Sequence, residues 1–363
     1  MNRRQFLQAS AAAAASAISI SKLSASPATS QALAPADPPA NKLPRWRGFN
    51  LLEMYDPAHL RDFKEADFQM LADWGFNFVR IPINYLCWSS HTDWTEMREQ
   101  PLTNLDRVVA LGRAHGVHVN LNLHRLPGYC VNPPKEPADL WTDAGALDAA
   151  THQWAGLAKR FRDIPSSALS FDLINEPADL HAEVYVKVIT QLVQAIRAES
   201  PDRLIIADGL KWGRSPVPEL AILNIGQSTR GYMPLQVSHY KASWLQGSEK
   251  FAPPTWPLVL KKETWNRQRL EQEQLPWKKL QEQGVGVGVH VGEWGAFNYT
   301  PHEVVLPWMK DCLELWKSNN WGWSLWNLSG SFGVLDSHRS DVTYESYRGH
   351  KLDRAMLELL RAL

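Results

Sequence analysis

An α/β fold closed as an eight-stranded barrel is predicted by three observations on this 363-residue chain. Short apolar runs alternate with amphipathic stretches of helical period, eight such runs can be counted, and about 320 residues follow an N-terminal segment of different character. Continuous apolar runs separated by helices are what buried parallel strands require, because each parallel crossover needs a helix to return the chain. Eight of them favour closure over a doubly wound open sheet. The length is large for one domain unless that domain is a (β/α)8 TIM barrel with loop insertions at the C-terminal face.

The first segment is set apart by composition. Arg3-Arg4, followed by Phe6-Leu7, opens an Ala/Ser-rich, weakly apolar stretch from Ala9 to Ile20 without an acidic residue. This is the pattern of an export signal, residues 1–34, too short and too weakly apolar to persist as a membrane span. The paired arginines resemble a twin-arginine signal, while Asn2, where that motif usually has Ser or Thr, leaves the ordinary secretory route open. A Pro/Ala-rich linker, 35–44, then leads into the barrel, 45–363. No later segment has the length and apolarity of a membrane span, so an exported, soluble monomer is expected.

Strands are predicted at Trp46–Leu52, Phe78–Ile83, Val117–His124, Leu169–Ile174, Leu204–Ala207, Leu235–His239, Val285–Val291 and Gly322–Trp326. Helices are predicted at Phe63–Trp74, Leu102–His115, Ala146–Phe161, Ala182–Ala198, Val304–Lys317 and Leu352–Leu363. The glycines of Val285-Gly286-Val287-Gly288-Val289 do not complete a dinucleotide loop, since Val289 and Val291 stand where the last glycine would be. Three cysteines cannot all pair; Cys87 and Cys130, both in loops, could form a disulfide, whereas Cys312 lies in a helix. No Cys/His spacing suggests zinc, and no metal or organic cofactor is expected.

In a barrel the chemistry gathers at the carboxyl ends of the strands. Those ends carry Arg80, His124, Asn175-Glu176, His239-Tyr240, Glu293-Trp294 and Trp326. Glu176 and Glu293 each follow an apolar run directly and are 117 residues apart, about three β/α units, which puts them on opposite walls of one cleft. Two facing carboxyls suit glycosidic cleavage: one is protonated to deliver a proton to the leaving oxygen, and the other is ionised to attack or to activate water.

Taken in order, these motifs resemble the family 5 glycoside hydrolases, the cellulase-like group of the retaining (β/α)8 glycosidase clan, across most of residues 45–363. The resemblance implies that Glu176 in Asn175-Glu176-Pro177 is the acid/base and Asn175 its neighbour for the sugar 2-hydroxyl. It implies that Glu293 in Gly-Glu-Trp-Gly is the nucleophile, braced by Arg80. His124 would serve the sugar subsite and Trp326 a platform beneath the sugar. His239 resembles the strand-six His, but the family usually has a Tyr two positions later and here that position is Lys241. Either a bulge turns the adjacent Tyr240 inward, or the tyrosine bond to the nucleophile is missing.

Composition points the same way. Thirty-eight basic and 38 acidic residues balance, so the chain offers no long-range field for nucleic acid or an anionic membrane. Seventeen tryptophans stand out. Indole stacks on the apolar face of a sugar, and Trp326, Trp294, Trp88, Trp141, Trp212 and Trp244 are expected at the mouth. Trp74, Trp154, Trp308 and Trp316 fall on helices and are expected to pack. The partner expected is thus a β-linked oligo- or polysaccharide, a glucan or mannan, cleaved by double displacement. An exo-acting β-glucosidase activity and a non-catalytic sugar-binding barrel are the alternatives.

Overall fold

The computed structural model describes residues 36–283 and 286–363. The expected export signal lies outside these residues. Eight parallel strands form the barrel: β1 (Arg47–Asn50), β2 (Phe78–Asn84), β3 (His118–Leu126), β4 (Leu169–Asp172), β5 (Leu204–Asp208), β6 (Gly226–Gly231), β7 (Val289–Trp294) and β8 (Gly322–Leu325). Each pairs with its sequence neighbours, and β1 closes the ring on β8 through Arg47↔Trp323 and Phe49↔Leu325. Long helices cover the outside: α1 (Glu65–Asp73), α2 (Glu99–His115), α3 (Ala144–Arg160), α4 (Ala182–Glu199), α5 (Arg267–Glu282), α6 (His302–Ser318) and α7 (Arg354–Ala362). Among the described residues no helix is long and apolar enough to cross a membrane.

The helices start and stop where side-chain chemistry dictates. Asp143 and Asp353 accept from the backbone N–H groups of Ala146 and Met356 and so cap α3 and α7. Gly116 ends α2 at φ +66°, a left-handed conformation that glycine adopts without a Cβ clash. The inner stripes are apolar: α4 buries Val188, Ile189, Leu192 and Ile196 against the sheet, and α3 buries Leu147, Trp154 and Leu157.

The sixth strand departs from expectation. It is Gly226–Gly231, whereas Leu235–Ser238 within the predicted strand forms a single helical turn. The connection from β5 to β6 contains only a short 3-10 turn, Pro218–Leu223, as its main regular element after Leu210–Gly213, so the strand arrives early. The sequence Gly-Gln-Ser-Thr-Arg-Gly is polar yet buried because its groups are satisfied locally. Gln227 exchanges hydrogen bonds with the N–H and carbonyl of Val217 at 2.9 and 2.8 Å, and Thr229 Oγ1 donates to Gly213 O at 3.0 Å.

One irregularity in β7 decides which way its side chains face. Val291 pairs with Thr229, but Glu293 pairs with Arg230, so Gly292 is an extra residue, a β-bulge. Glu293 therefore faces the barrel interior. Trp294 faces outward into a buried cluster, with ring centroids 4.7 Å from Trp316, 5.4 Å from Trp323 and 6.3 Å from Trp308. Its expected place at the mouth is corrected accordingly. Trp88 is also buried and donates from Nε1 to Gln153 Oε1 at 2.7 Å, so it too packs rather than facing sugar. Cys87, Cys130 and Cys312 are all free thiols.

Candidate active site

At the carboxyl ends of the strands, the interior of the barrel changes from apolar to ionic. Two buried arginines, Arg80 on β2 and Arg230 on β6, meet four carboxylates: Asp172, Glu176, Asp208 and Glu293. Buried charges persist only when paired and hydrogen-bonded. Here nearly every donor is used. Arg80 donates from Nε to Asp172 Oδ2 at 2.8 Å, from Nη1 to Glu293 Oε1 at 2.7 Å and from Nη2 to Asn175 Oδ1 at 2.8 Å. Asn50 Oδ1 accepts a further bond from Nη1 at 3.1 Å. Burial alone would weaken the Arg80 charge, but Asp172 and Glu293 outweigh it and hold the guanidinium above its ordinary value.

Glu293 accepts on both oxygens, from Arg80 on Oε1 and from the Tyr232 hydroxyl on Oε2 at 3.2 Å. Burial, and then Glu293 itself, keep the Tyr232 phenol well above its ordinary range, so it stays a donor. Glu176 stands just beyond β4 at φ +47°, a conformation that a non-glycine residue keeps only when its surroundings enforce it. Three bonds do so. Its N–H donates to Asp208 Oδ2 at 2.8 Å, its carbonyl accepts from the Tyr129 hydroxyl at 2.8 Å, and the next carbonyl, Pro177 O, accepts from Trp212 N at 2.9 Å. The Glu176 side chain remains 18% exposed, enough to be reached from the cleft. Burial first, and the nearby Glu293 second, push its carboxyl up to about 8.

The two glutamates differ in their local chemistry. Glu293 is buried and accepts from two donors, Arg80 and Tyr232, whereas Glu176 is partly open and its carboxyl, raised to about 8, favours its proton at neutral pH. This is the asymmetry that an acid and a nucleophile need.

His124 is buried beside them. Its Nε2 faces the Asn175 and Asn132 amides at 3.2 and 3.4 Å, both as Nδ2 donors, which makes Nε2 the acceptor and leaves the ring proton on Nδ1. Nδ1 has no partner among the described residues. Burial, and then the Arg80 charge, hold His124 well below its usual range, so the ring is neutral. Trp326, half-buried, lies edge-on to Tyr55 at 6.0 Å and tilted against His124 at 5.7 Å. Trp212 and Trp244 are exposed, at 43% and 55%.

His239 reaches the site from the turn after β6, with its ring 4.9 Å from Tyr232 and Nδ1 at 2.7 Å from Ser238 Oγ. Tyr240 does not complete the carboxylate network: its ring is buried with Lys241 Nζ 5.2 Å from its centroid. Tyr232 makes the bond to Glu293 instead, because β6 ends at Gly231 and not at His239. Tyr232, Arg230 and Asp208 were not singled out from sequence. The signal was present in Arg230-Gly231-Tyr232, whose alternate positions face the same way at a strand end, but no apolar run marked the strand.

Known proteins share this fold over most of the chain. A family model described as cellulase (glycosyl hydrolase family 5) matches residues 36–331. Endoglucanase C of Acetivibrio thermocellus is 23% identical over 320 residues, 81% of this chain and 92% of that protein. A crystal structure described as a glycoside hydrolase is 40% identical with a TM-score of 0.83, covering 88% of this chain and 99% of that one. Thermotoga maritima Cel5A, solved with cellobiose and with mannotriose, shares the fold at 21% identity and TM-scores of 0.72 and 0.71, covering 87% of this chain and 96% and 97% of its own. The chain belongs to glycosyl hydrolase family 5, as an endoglucanase-like glycosidase that hydrolyses O-glycosyl bonds.

Proposed function

We propose that the protein is an exported, retaining hydrolase of β-linked glucan or mannan in which Glu293 is the nucleophile and Glu176 the acid/base. The observation that carries this is the pairing of Glu293 with Arg80 and Tyr232 while the adjacent Glu176 is driven toward its protonated form. In the first step a Glu293 oxygen attacks the anomeric carbon as the bond to the leaving sugar oxygen breaks. That oxygen takes the proton of Glu176 and departs as an alcohol. In the second step Glu176, now a carboxylate, takes a proton from water, whose oxygen displaces Glu293 from the anomeric carbon and restores both groups.

One guanidinium, Arg230, bridges the two carboxylates, with Nε 3.1 Å from Glu176 Oε1 and Nη2 3.3 Å from Glu293 Oε1. Asn175 and His124 would hold sugar hydroxyls, Trp326 would carry the ring, and His239 would line the cleft beside Tyr232. The likeness to Endoglucanase C over nearly its whole length supports a glucan, and the two sugars bound by Cel5A keep mannan within the same class.

The test has two parts. Product release from β-glucan and mannan is followed by NMR, where retention of β-configuration in the first product is expected and inversion would end the double-displacement proposal. A 2-deoxy-2-fluoro glycoside should label Glu293, as read by peptide mass. Export is tested by N-terminal sequencing of protein recovered outside the cytoplasm, with cleavage expected between Ala25 and Ala34.

A further inference from the structure

Arg230 sits where the family resemblance leads one to expect a histidine, two residues before the tyrosine that bonds the nucleophile. Its guanidinium is 1% exposed and touches four polar side chains of the network. Nε donates to Glu176 Oε1 at 3.1 Å, Nη1 to Asp208 Oδ1 at 3.0 Å, and Nη2 to Asn175 Oδ1 at 2.8 Å while lying 3.3 Å from Glu293 Oε1. Asp208 Oδ2 also accepts from Nη2. The space is cut for this side chain: a Cβ added at Gly292 would lie 2.9 Å from Nη1, and one at Gly213 would lie 2.6 Å from Cγ.

We propose that Arg230 is a positioning residue that fixes which oxygen of Glu176 carries the catalytic proton and serves as the common counter-ion of Glu176 and Glu293 through both steps. This inference rests on the acid/base and nucleophile roles proposed above. Arginine has only donors and keeps its charge, so the oxygen it faces must accept. A proton on Glu176 Oε1 would oppose the Nε–H. Oε2 therefore holds the proton, gives it to the leaving oxygen and later receives one from water.

The charge argument is independent of the first. In the free enzyme the negative charge of the pair rests on Glu293; in the glycosyl-enzyme Glu293 is an ester and the charge rests on Glu176. Arg230 contacts both positions without moving, so the site needs no reorganisation when charge passes from one to the other. A histidine has two ring nitrogens in place of five fixed donors and could not meet Asn175, Asp208 and Glu176 together. The charged groups facing Glu176 are Arg230, Arg80, Glu293 and Asp208. The neutral ones that titrate nearby are Tyr55, Tyr129, Tyr232 and Cys130.

The experiment compares kcat/KM on a β-linked oligosaccharide with that on a dinitrophenyl glycoside, whose leaving group needs no proton. Arg230→Met should lose about 100-fold on the oligosaccharide and less than about tenfold on the aryl glycoside. Its basic pH limb on the oligosaccharide should rise by about one unit or more, because a cation beside a carboxyl favours ionisation. Arg230→Lys keeps a charge and should leave that limb near its original place, while retaining the leaving-group dependence because a point charge cannot hold Oε1 and Asp208 together. Should Arg230→Met fail to fold, the charge-balanced Arg230→Gln/Asp208→Asn double variant decides on the same two substrates. Equal losses on both substrates with an unmoved basic limb, in folded protein, would show that Arg230 only holds the barrel wall and would overturn the proposal. Two controls separate its failure from that of the parent roles. Glu176→Ala should show the leaving-group dependence and rescue by azide, and Glu293→Ala should be inactive on both substrates. If either control fails, the carboxylate roles fall and Arg230 falls with them.

Discussion

Glu293 and Trp294 are consecutive, yet they belong to two regions governed by different physics. On the inner face of β7, Glu293 meets Arg80, Arg230 and Tyr232, each at a defined atom. On the outer face, Trp294 packs with Trp308, Trp316 and Trp323 in a cluster defined by shape and volume. The inner face specifies charge and direction and spends stability to keep ionic groups buried. The outer face contributes stability and has no chemistry. Substitutions on the two faces should therefore separate activity from folding.

The largest separation is expected at Glu293, the proposed nucleophile. Glu293→Gln should lower kcat by more than about 10⁴-fold with an unchanged circular dichroism spectrum, and near-normal turnover would break the assignment. Next, Glu176→Ala should cost about 10²–10⁴-fold on an oligosaccharide. In the unaltered enzyme the acid must be protonated, so activity should fall as pH rises through about 8, the value to which burial and Glu293 raise Glu176.

On the outer face, Trp308→Ala should destabilise the protein by about 3–5 kcal/mol in chemical denaturation while the pH profile of the folded fraction stays the same. A shifted profile there would show that the two faces are coupled. Trp326→Ala should raise KM about tenfold with a smaller change in kcat, as read from initial rates.

The smallest effect concerns stability against pH. Glu176 binds its proton more tightly in the folded state than in the unfolded chain, where its carboxyl is close to 4.5. The stability this provides is complete below that value and is lost as pH rises to about 8. Glu176→Gln removes the dependence and should raise Tm at pH 8, relative to the parent, by about 2 °C or more, with no such gain at pH 4.

The parts of this molecule legible in sequence were those where burial and apolarity coincide. The first five strands and the last two were marked by runs such as Phe78–Ile83 and Leu169–Ile174, with bounds that differ by a few residues. Glu176 and Glu293 were visible because a charge directly after such a run is unusual. β6 was hidden because Gln227, Ser228, Thr229 and Arg230 are buried by pairing rather than by apolarity, and pairing partners such as Val217 and Asp208 are not evident from the chain alone. Leu235-Gln236-Val237 offered a false strand that the structure uses as a helical turn. The facing of Trp294 was missed for a related reason: alternation predicts orientation only where the register is regular.

That register has a further meaning. Because Gly292 is a single supernumerary residue, everything after it in β7 is read in a shifted frame, as an inserted base shifts a message. Pairing it into the ladder as an ordinary residue, with no bulge, would leave the composition of the strand intact while exchanging the sides of its last two residues, turning an indole into the cavity and a carboxylate into the tryptophan cluster. The catalytic capacity of the barrel thus depends on one residue with no side chain, and a design that tidied the strand into ideal pairing would delete the enzyme while keeping the fold.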